Sequence, residues 1–228
     1  MGQDTINLAP FVFISDHLIQ HLMPRSLLLK LLLVAGIPCF LAASCTTLNF
    51  NIKERMLISS NKTAQDTFRV LSISNKQDSL ILRKRSKDLK RIKDNEQLSR
   101  LLERLKVNID AHEGNGIAAT QVAMNRNIFL ITRIGETGQK VQVAINPKIT
   151  AHSDSLVCFQ RDGCLSIPDI RGNSKRYAWI EVSYYDEKGT LIKERFSGHK
   201  RPDNFTNIIF QHEYDHINGV LFIDKLCD

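Results

Sequence analysis

The residues best suited to chemistry lie near the end of the chain, in the run QHEYDH at 211–216. Its two histidines, His212 and His216, are four positions apart and share one face of a helix, where both imidazoles can bind the same divalent metal ion. Glu213 follows the first histidine and can take a proton from a water that the metal activates. The same pattern also arises by chance on surface helices, so the rest of the sequence must decide between the two.

The composition is that of a folded protein with a positive charge. The chain has 228 residues, 43% of them hydrophobic, which is enough to bury one core in one or two domains. Its formal net charge of +7 is compatible with an anionic partner but says nothing about the fold. Five cysteines stand at irregular spacings. They predict neither a disulfide framework nor a zinc knuckle, and one of them is a candidate metal ligand.

Residues 23–45 resemble a secretory signal of the bacterial lipoprotein type. A basic start leads into an apolar run of 14 residues, 31–44, which is shorter than the about 20 that a membrane-spanning helix needs. The run ends in LAASC, and the resemblance implies that Cys45 is lipidated and that the protein is exported or anchored at a membrane. The alternatives are a buried helix, although Pro38 would break it, and a retained anchor on a cytoplasmic enzyme.

The other boundaries follow from composition. Because a signal begins at its initiator, we interpret residues 1–22 as mis-assigned upstream sequence, with translation starting at Met23. Residues 46–67 are rich in Ser, Thr, Asn and Lys and are predicted to be a linker. The compact catalytic domain is predicted to span 68–228.

A basic stretch at 83–93 carries seven lysine and arginine residues. Such a stretch is most often a solvated face, and a contact with the ribosome or another anionic partner is the alternative. No aromatic residues interleave with these charges to stack on bases, so we expect no specific binding to DNA.

The periodicity predicts an α+β fold with antiparallel strands around a central metal-binding helix. Leucines at spacings of three and four predict an amphipathic helix over 95–112, and Gly114 follows where that helix would stop. Strand-like or extended segments are predicted at 68–73, 127–132, 141–146, 178–185 and 190–196, with a hairpin turn at 186–189.

The metal motif itself is predicted to lie on a second helix. Pro202, Asp203 and Asn204 are good helix starters. The residues that then share one face are apolar apart from the motif histidines: Phe205, Ile208, Ile209, His212 and His216. Both histidines are therefore predicted to point into the core and away from solvent.

The third metal ligand must come from upstream of the motif. Metzincin proteases need a third histidine six residues after the second, but this position holds Phe222. Only 12 residues follow His216, too few for a helix that returns a glutamate ligand. Cys164 is favoured by the tight backbone that Gly163 permits, and Cys158 is interpreted as a small buried hydrophobe. The other candidates are His152, His199 and the carboxylates.

Three ordered segments resemble the sequence boxes of the peptide deformylases. They are GNGIAATQV at 114–122, DGCLS at 162–166 and QHEYDH at 211–216. The resemblance covers about 68–228. It implies the α+β fold of that family and one divalent metal ion held by Cys164, His212 and His216. Fe(II) is the metal that it favours, with Zn(II) or another divalent metal as the alternative, since both accept these ligands.

The resemblance also implies a reaction and its residues. The enzyme would hydrolyse the formyl group from the amino-terminal methionine of nascent chains or formyl peptides and release formate. Glu213 would be the general base, with the Gln121 amide and the Leu165 N–H as oxyanion donors. The substrate-binding residues would be Gly116, Arg171, Phe205, Ile208 and Ile209. The alternatives are a catalytically weak paralogue that binds formyl peptides, and a metallopeptidase.

Three positions depart from the family pattern. Asp162 replaces the usual glutamate and is one methylene shorter, which bears on the ion pair that we expect with Arg176. Ala123 replaces the usual glycine at the end of the first box, and Ile117 replaces a leucine. None of the three removes a ligand, the base or an oxyanion donor, so we expect activity.

Overall fold

The computed structural model describes residues 49–60, 63, 66–135, 140–201 and 204–227. Within these ranges four α-helices and seven strands form. The helices are α1 Ile52–Ile58, α2 Lys76–Leu82, α3 Glu96–Ala111 and α4 Thr206–Ile217. The strands are β1 Gly116–Ala118, β2 Ile128–Thr132, β3 Val141–His152, β4 Leu156–Cys164, β5 Ile167–Tyr177, β6 Trp179–Tyr185 and β7 Leu191–Ser197.

The strands form two antiparallel sheets. Five of them pair in the order β1-β2-β3-β6-β7, and β4 and β5 form a separate two-stranded hairpin. Helix α4 packs on β1 and β2 and also contacts β5 and β7. The predicted α+β arrangement of antiparallel strands around a central helix is confirmed.

Helix α3 follows its sequence pattern closely. The side chain of Asn95 accepts a hydrogen bond from the Leu98 N–H at 3.1 Å and so caps the first turn, and the helix ends before His112. The predicted helix at 95–112 is therefore confirmed. Its stripe of apolar residues is buried in the core: Leu98, Leu101, Leu102, Leu105 and Ile109.

The linker prediction for 46–67 is wrong for 49–58, which belong to the folded unit. Phe50 and Ile58 are buried in the same core cluster as α3. Asn51 and Glu54 form a reciprocal capping box that starts α1. The Glu54 carboxylate also pairs with Arg126 at 2.6 Å. The polar composition misleads because the charged residue Glu54 is buried with a partner, so the domain starts before Phe68.

The predicted strands at 127–132, 141–146, 178–185 and 190–196 are confirmed as β2, β3, β6 and β7, although β3 continues to His152. The extended segment at 68–73 forms no strand, and its Leu71 N–H donates to the Gln121 carbonyl at 2.8 Å. The β4–β5 hairpin was not predicted. Most positions of β4 and β5 outside the metal site are exposed or half-buried, so the sequence carries little hydrophobic alternation there.

Helix α4 begins later than its starter residues suggest. Pro202 and Asp203 lie outside the described residues, and the helix begins at Thr206, with Phe205 at its cap. Every residue of α4 except Tyr214 is buried. His212 and His216 are 8% and 1% exposed, so the prediction that both histidines face inward is confirmed.

Cys158 and Cys227 form a single disulfide, although the irregular cysteine spacing predicted no disulfide framework, and the interpretation of Cys158 as a small buried hydrophobe is wrong. The bond joins β4 to the segment that follows the short 3₁₀ helix Phe222–Lys225. Backbone pairing brings these segments together, because the Cys227 N–H donates to the Asn173 carbonyl at 2.8 Å. Spacing alone could not reveal this pair, since 69 positions separate the two cysteines.

The signal-like segment at 23–45, Cys45 within it and the upstream residues 1–22 lie outside the described residues. Among the helices that are described, none combines the length and the apolar character that crossing a bilayer requires.

We expect the disulfide to stabilise the fold by about 2–4 kcal/mol, because it closes a long loop in the unfolded chain. The paired substitution Cys158→Ser and Cys227→Ser should lower the Tm in calorimetry. A thiol reductant should lower the Tm of the wild type by a similar amount and leave the doubly substituted protein unaffected. Equal Tm values for wild type and double variant would contradict a stabilising role.

Candidate metal centre

Three potential metal ligands meet between helix α4 and the end of strand β4. Cys164 is the last residue of β4, and His212 and His216 lie one turn apart on α4. Their donor atoms all lie within 4.8 Å of one another, and the Cys164 Sγ is 3.1 Å from the His216 Nε2. Residues about 50 positions apart in the sequence are thus brought together. The Cys164 thiol is buried and forms no disulfide.

A buried ion-pair network orients the first histidine. Asp162 Oδ1 lies 3.2 Å from His212 Nδ1, which leaves the Nε2 of His212 for a metal. The other oxygen of Asp162 accepts from Arg176 at 2.8 Å and from the Ser174 hydroxyl at 2.6 Å. Arg176 also donates to Asp215 at 2.5 Å. The ion pair expected between Asp162 and Arg176 therefore forms despite the shorter aspartate.

The electrostatics differ between the two histidines. Burial opposes protonation of His212, but the Asp162 carboxylate raises the pKa of His212 well above its ordinary value. Burial lowers the pKa of His216 well below its ordinary value, and the positive charges of His212 and Arg176 act in the same direction. Burial alone would raise the pKa of Asp162, yet His212 and Arg176 lower it well below the usual range. His216 is therefore held as the neutral imidazole that metals bind.

Glu213 points into the same site from α4. Burial raises the pKa of its carboxyl to about 7. A Cβ atom placed on Gly116 would lie only 2.6 Å from Glu213 Oε1, so the strand β1 passes directly against this carboxylate. The absence of a side chain at Gly116 is thus required for the position of Glu213.

Gln121 presents its amide N–H₂ to the centre. Its Oε1 accepts from the Ala118 N–H at 2.8 Å, which fixes the amide, and its Nε2 lies 3.6 Å from Cys164 Sγ and 3.3 Å from Ser166 Oγ. The turn that carries Gln121 ends at Ala123, whose φ of 66° is left-handed. This conformation explains why a glycine suits that position better than the alanine found here.

The chemistry of these donors fits a divalent metal ion. One thiol and two imidazoles that converge from two elements suit Zn(II) or Fe(II). Among the described residues, Glu213 Oε2 and His216 Nδ1 are buried polar atoms without a hydrogen-bond partner. A buried carboxylate oxygen that protein groups do not satisfy is typical of a site that binds a further group.

A cleft of about 600 Å³ opens over this centre. Of the residues expected at the site, all but His216, which lies deeper, line this cleft: Gly116, Gln121, Cys164, Leu165, Arg171, Phe205, Ile208, Ile209, His212 and Glu213. Six further residues line it that sequence reasoning had not placed there: His112, Glu113, Phe159, Arg161, Pro168 and Arg201. The alternative ligand candidates Cys158, His152 and His199 do not line it. Cys158 is instead engaged in the disulfide.

Comparison with known proteins identifies the family. The family model described as polypeptide deformylase matches residues 69–228. The chain belongs to the polypeptide deformylase family. It is 38% identical over 135 residues to peptide deformylase 2 of a Nostoc species, an alignment that covers 57% of this chain and 72% of that protein. It is 32% identical over 146 residues to the peptide deformylase of Thermotoga maritima, covering 64% and 81% of the two chains.

Solved deformylase structures share the fold. The crystal structure of the Thermotoga maritima enzyme gives a TM-score of 0.61 at 29% identity and covers 72% of this chain and 99% of that one. A class I type b deformylase of Acinetobacter baumannii, bound to Met-Ala-Ser, gives 0.62 at 25% identity and covers 71% and 99%. The expected fold, family and enzyme class, a peptide deformylase, are confirmed, and the family uses a divalent metal.

We expect Asp162→Asn to weaken binding of a divalent metal by about 10- to 100-fold, because the amide no longer supports the His212 imidazole as a carboxylate does. The measurement is competition for Zn(II) against a chelating dye. Asp162→Glu, which keeps the carboxylate, should retain most of the affinity. Asp169→Asn, on the exposed face of the same hairpin, is the matched control and should not change it. Equal affinity for wild type and Asp162→Asn would exclude this role for Asp162.

Proposed function

We propose that the protein hydrolyses the formyl amide of N-formylmethionyl peptides and nascent chains, releasing formate and a free amino terminus. The observation that carries the proposal is the convergence of Cys164, His212 and His216 with Glu213 and Gln121 in one cleft. This set combines metal ligands, a buried carboxylate and an amide donor, which together suit hydrolysis of a small amide.

Cys164, His212 and His216 would hold one divalent ion. We propose Fe(II), with Zn(II) as the alternative, since a thiolate and two imidazoles accept both. When bound, the ion polarises the formyl oxygen and lowers the pKa of the attacking water. The protein supplies the orientation through the Asp162 contact to His212.

Glu213 moves the proton. Its carboxylate accepts a proton from the water whose oxygen bonds to the formyl carbon, and it then donates that proton to the substrate nitrogen as the carbon–nitrogen bond breaks. The buried Oε2 of Glu213 has no hydrogen-bond partner in the described part of the chain, so no protein group competes for it during this exchange. The products are formate and the amine, so the proton balance closes within the site.

Gln121 and Leu165 stabilise the negative charge that develops on the formyl oxygen. The Gln121 amide donor is held toward Cys164 by the bond from Ala118, and the Leu165 backbone follows Cys164 directly along the cleft. Donors fixed before reaction need no reorganisation when the charge forms.

The methionine side chain is proposed to bind on the apolar part of the cleft wall. Phe205, Ile208 and Ile209 line it, and all three are largely buried, so a thioether side chain there removes further apolar surface from water. Gly116 brings the β1 backbone close to Glu213, where a substrate backbone can run beside it. Arg171 lies at the same cleft and is proposed to contact the peptide beyond the methionine.

We expect the anaerobically purified protein to release formate from formyl-Met-Ala. Gln121→Ala should reduce turnover by about 100- to 1000-fold, because one oxyanion donor is lost while the metal ligands remain. Glu213→Gln should reduce it by about 100-fold or more. Elemental analysis of the same preparations should show unchanged metal content and identify the metal.

Three outcomes would contradict parts of the proposed mechanism or function. Normal turnover by Gln121→Ala would remove that residue from the mechanism. Tight binding of formyl-Met-Ala without formate release would indicate a binding paralogue. Cleavage of an unformylated peptide without formate release would indicate a metallopeptidase.

We further propose that the protein is exported and anchored through a lipid on Cys45. The signal-like residues 23–45 motivate this, and the Cys158–Cys227 disulfide is independent support, since structural disulfides persist in oxidising compartments. A ribosome contact through the basic residues 83–93 belongs to the cytoplasmic alternative.

We expect mass spectrometry of the native protein to find a lipid-modified amino terminus at Cys45. Cys45→Ser should abolish the modification and leave formate release by the protein unchanged, because every residue proposed for binding or catalysis comes from position 116 onward. An intact peptide from residues 1–22 in the mature protein would contradict the proposal.

A further inference from the structure

Three arginines line the cleft in addition to the residues of the proposed chemistry. Arg161 lies on β4, Arg171 on β5 and Arg201 on the segment before α4, so they come from three separate elements. All three residues are exposed. Only Arg171 was expected there from the sequence, which leaves Arg161 and Arg201 without an assigned role.

Carboxylates of the described part of the chain leave these charges uncompensated. None of the three guanidinium groups is within ion-pair distance of a carboxylate there. Two of the cleft carboxylates are committed elsewhere, because Asp162 pairs with Arg176 and Glu213 lies buried beside Gly116. Glu113, next to His112, is the one exposed carboxylate on the described cleft lining. The part of the cleft lined by Arg161, Arg171 and Arg201, here called the cleft mouth, therefore carries an excess of positive charge.

Local contacts position the side chain of Arg201 and the backbone of Arg161. Arg201 lies over two aromatic rings of the cleft wall, 4.5 Å from the Phe205 ring centroid and 5.0 Å from that of Phe159. The backbone of Arg161 adopts a φ of 55°, and its N–H donates to Asn173 Oδ1 at 3.1 Å.

Arg171 packs flat on the strand that carries the cysteine ligand. A Cβ atom on Gly163 would lie 2.5 Å from the Arg171 Nη1, so the missing side chain at Gly163 makes room for this guanidinium. Its cationic end is therefore held one residue away from Cys164. Positioned cations of this kind bind an anionic substrate group with less loss of side-chain entropy than free ones.

We propose that the cleft selects formyl peptides that present a carboxylate within a few residues of the formyl group, bound by Arg161 and Arg201 together with Arg171. This rests on the proposed function. An extended peptide advances about 3.3 Å per residue, and a cleft of about 600 Å³ suits a ligand of small-peptide size. The terminal carboxylate of a formyl di- or tripeptide thus falls within the cleft, whereas that of a nascent chain is far away. Short free formyl peptides are the substrate class that this arrangement favours.

Binding of product peptides tests the charge preference independently of turnover. Met-Ala-Ser and its carboxamide differ only in the terminal charge, and their Kd values for the holoenzyme can be measured by calorimetry in low salt. We expect the acid to bind about 5- to 10-fold more tightly than the amide, as a few exposed charge pairs would provide. The ratio should fall in 0.5 M NaCl, where such pairs are screened.

The combined substitution Arg161→Gln and Arg201→Gln should reduce the acid-to-amide ratio at least threefold. The matched control is Arg85→Gln with Arg100→Gln, which removes the same charge from exposed positions outside the cleft and should leave the ratio unchanged. A third peptide, Met-Ala-Asp carboxamide, separates the sources of the carboxylate. Binding of this peptide as tight as that of the acid indicates that a side-chain carboxylate serves equally.

A ratio near one in the wild type, or a ratio that the cleft variant leaves unchanged, would overturn the proposal. Formate release is measured in parallel on formyl-Met-Ala-Ser and its amide, so that two failures are distinguishable. Selective binding of the acid without formate release would remove the proposed reaction and keep the carboxylate preference. Equal use of both formyl peptides would keep the reaction and remove the preference.

Discussion

The buried guanidinium of Arg176 is the interaction on which the site depends. It joins strand β5, which carries it, to Asp162 on β4 and to Asp215 on α4, with only 1% of its side chain exposed. Removal of one partner from such a buried pair costs about 3–5 kcal/mol, because a charge is then left unpaired away from water. The two carboxylates here belong to the two elements that supply the metal ligands. The same contact that stabilises the fold therefore fixes the distance between Cys164 and the histidines.

The site also depends on places where no side chain is tolerated. Gly116 leaves room for the Glu213 carboxylate, and Gly163 leaves room for the Arg171 guanidinium. At Ala123 the chain keeps a left-handed backbone without glycine, which costs about 1–2 kcal/mol relative to the right-handed form. The turn is retained because its backbone bonds present Gln121 to the centre.

The sequence predicts the helical parts of this structure far better than the hairpin. Helix α3 buries a continuous stripe of leucines and α4 is buried almost throughout, so the helical periodicity of the apolar residues predicts both helices. The same periodicity predicts that the two histidines face inward. The buried apolar residues of the β4–β5 hairpin are only Phe159, Cys164 and Ile167, and periodicity therefore missed the strands that hold the third ligand. The motif DGCLS, by contrast, identified Cys164 through family resemblance without any knowledge of the strand. The residues at the cleft mouth, Arg161 and Arg201, carry no such pattern, because their position depends on how the hairpin and the segment before α4 fold together.

The carboxyl-terminal segment makes the metal centre depend on a part of the chain that has no chemical motif. Phe222 lies with its ring nearly parallel to that of His212, at 6.2 Å between centroids, and Lys225 pairs with Asp215 at 2.6 Å. The disulfide through Cys227 holds this segment against β4, while Leu226 forms a bridge to Ser174 on β5. Ser174 and Asp215 also contact the Asp162–Arg176 network, so a continuous set of contacts joins this segment to the histidine that Asp162 orients. The disulfide therefore contributes to the folded site as well as constraining the unfolded chain, because the segment that it fastens to β4 contacts Asp215 on α4 and Ser174 on β5.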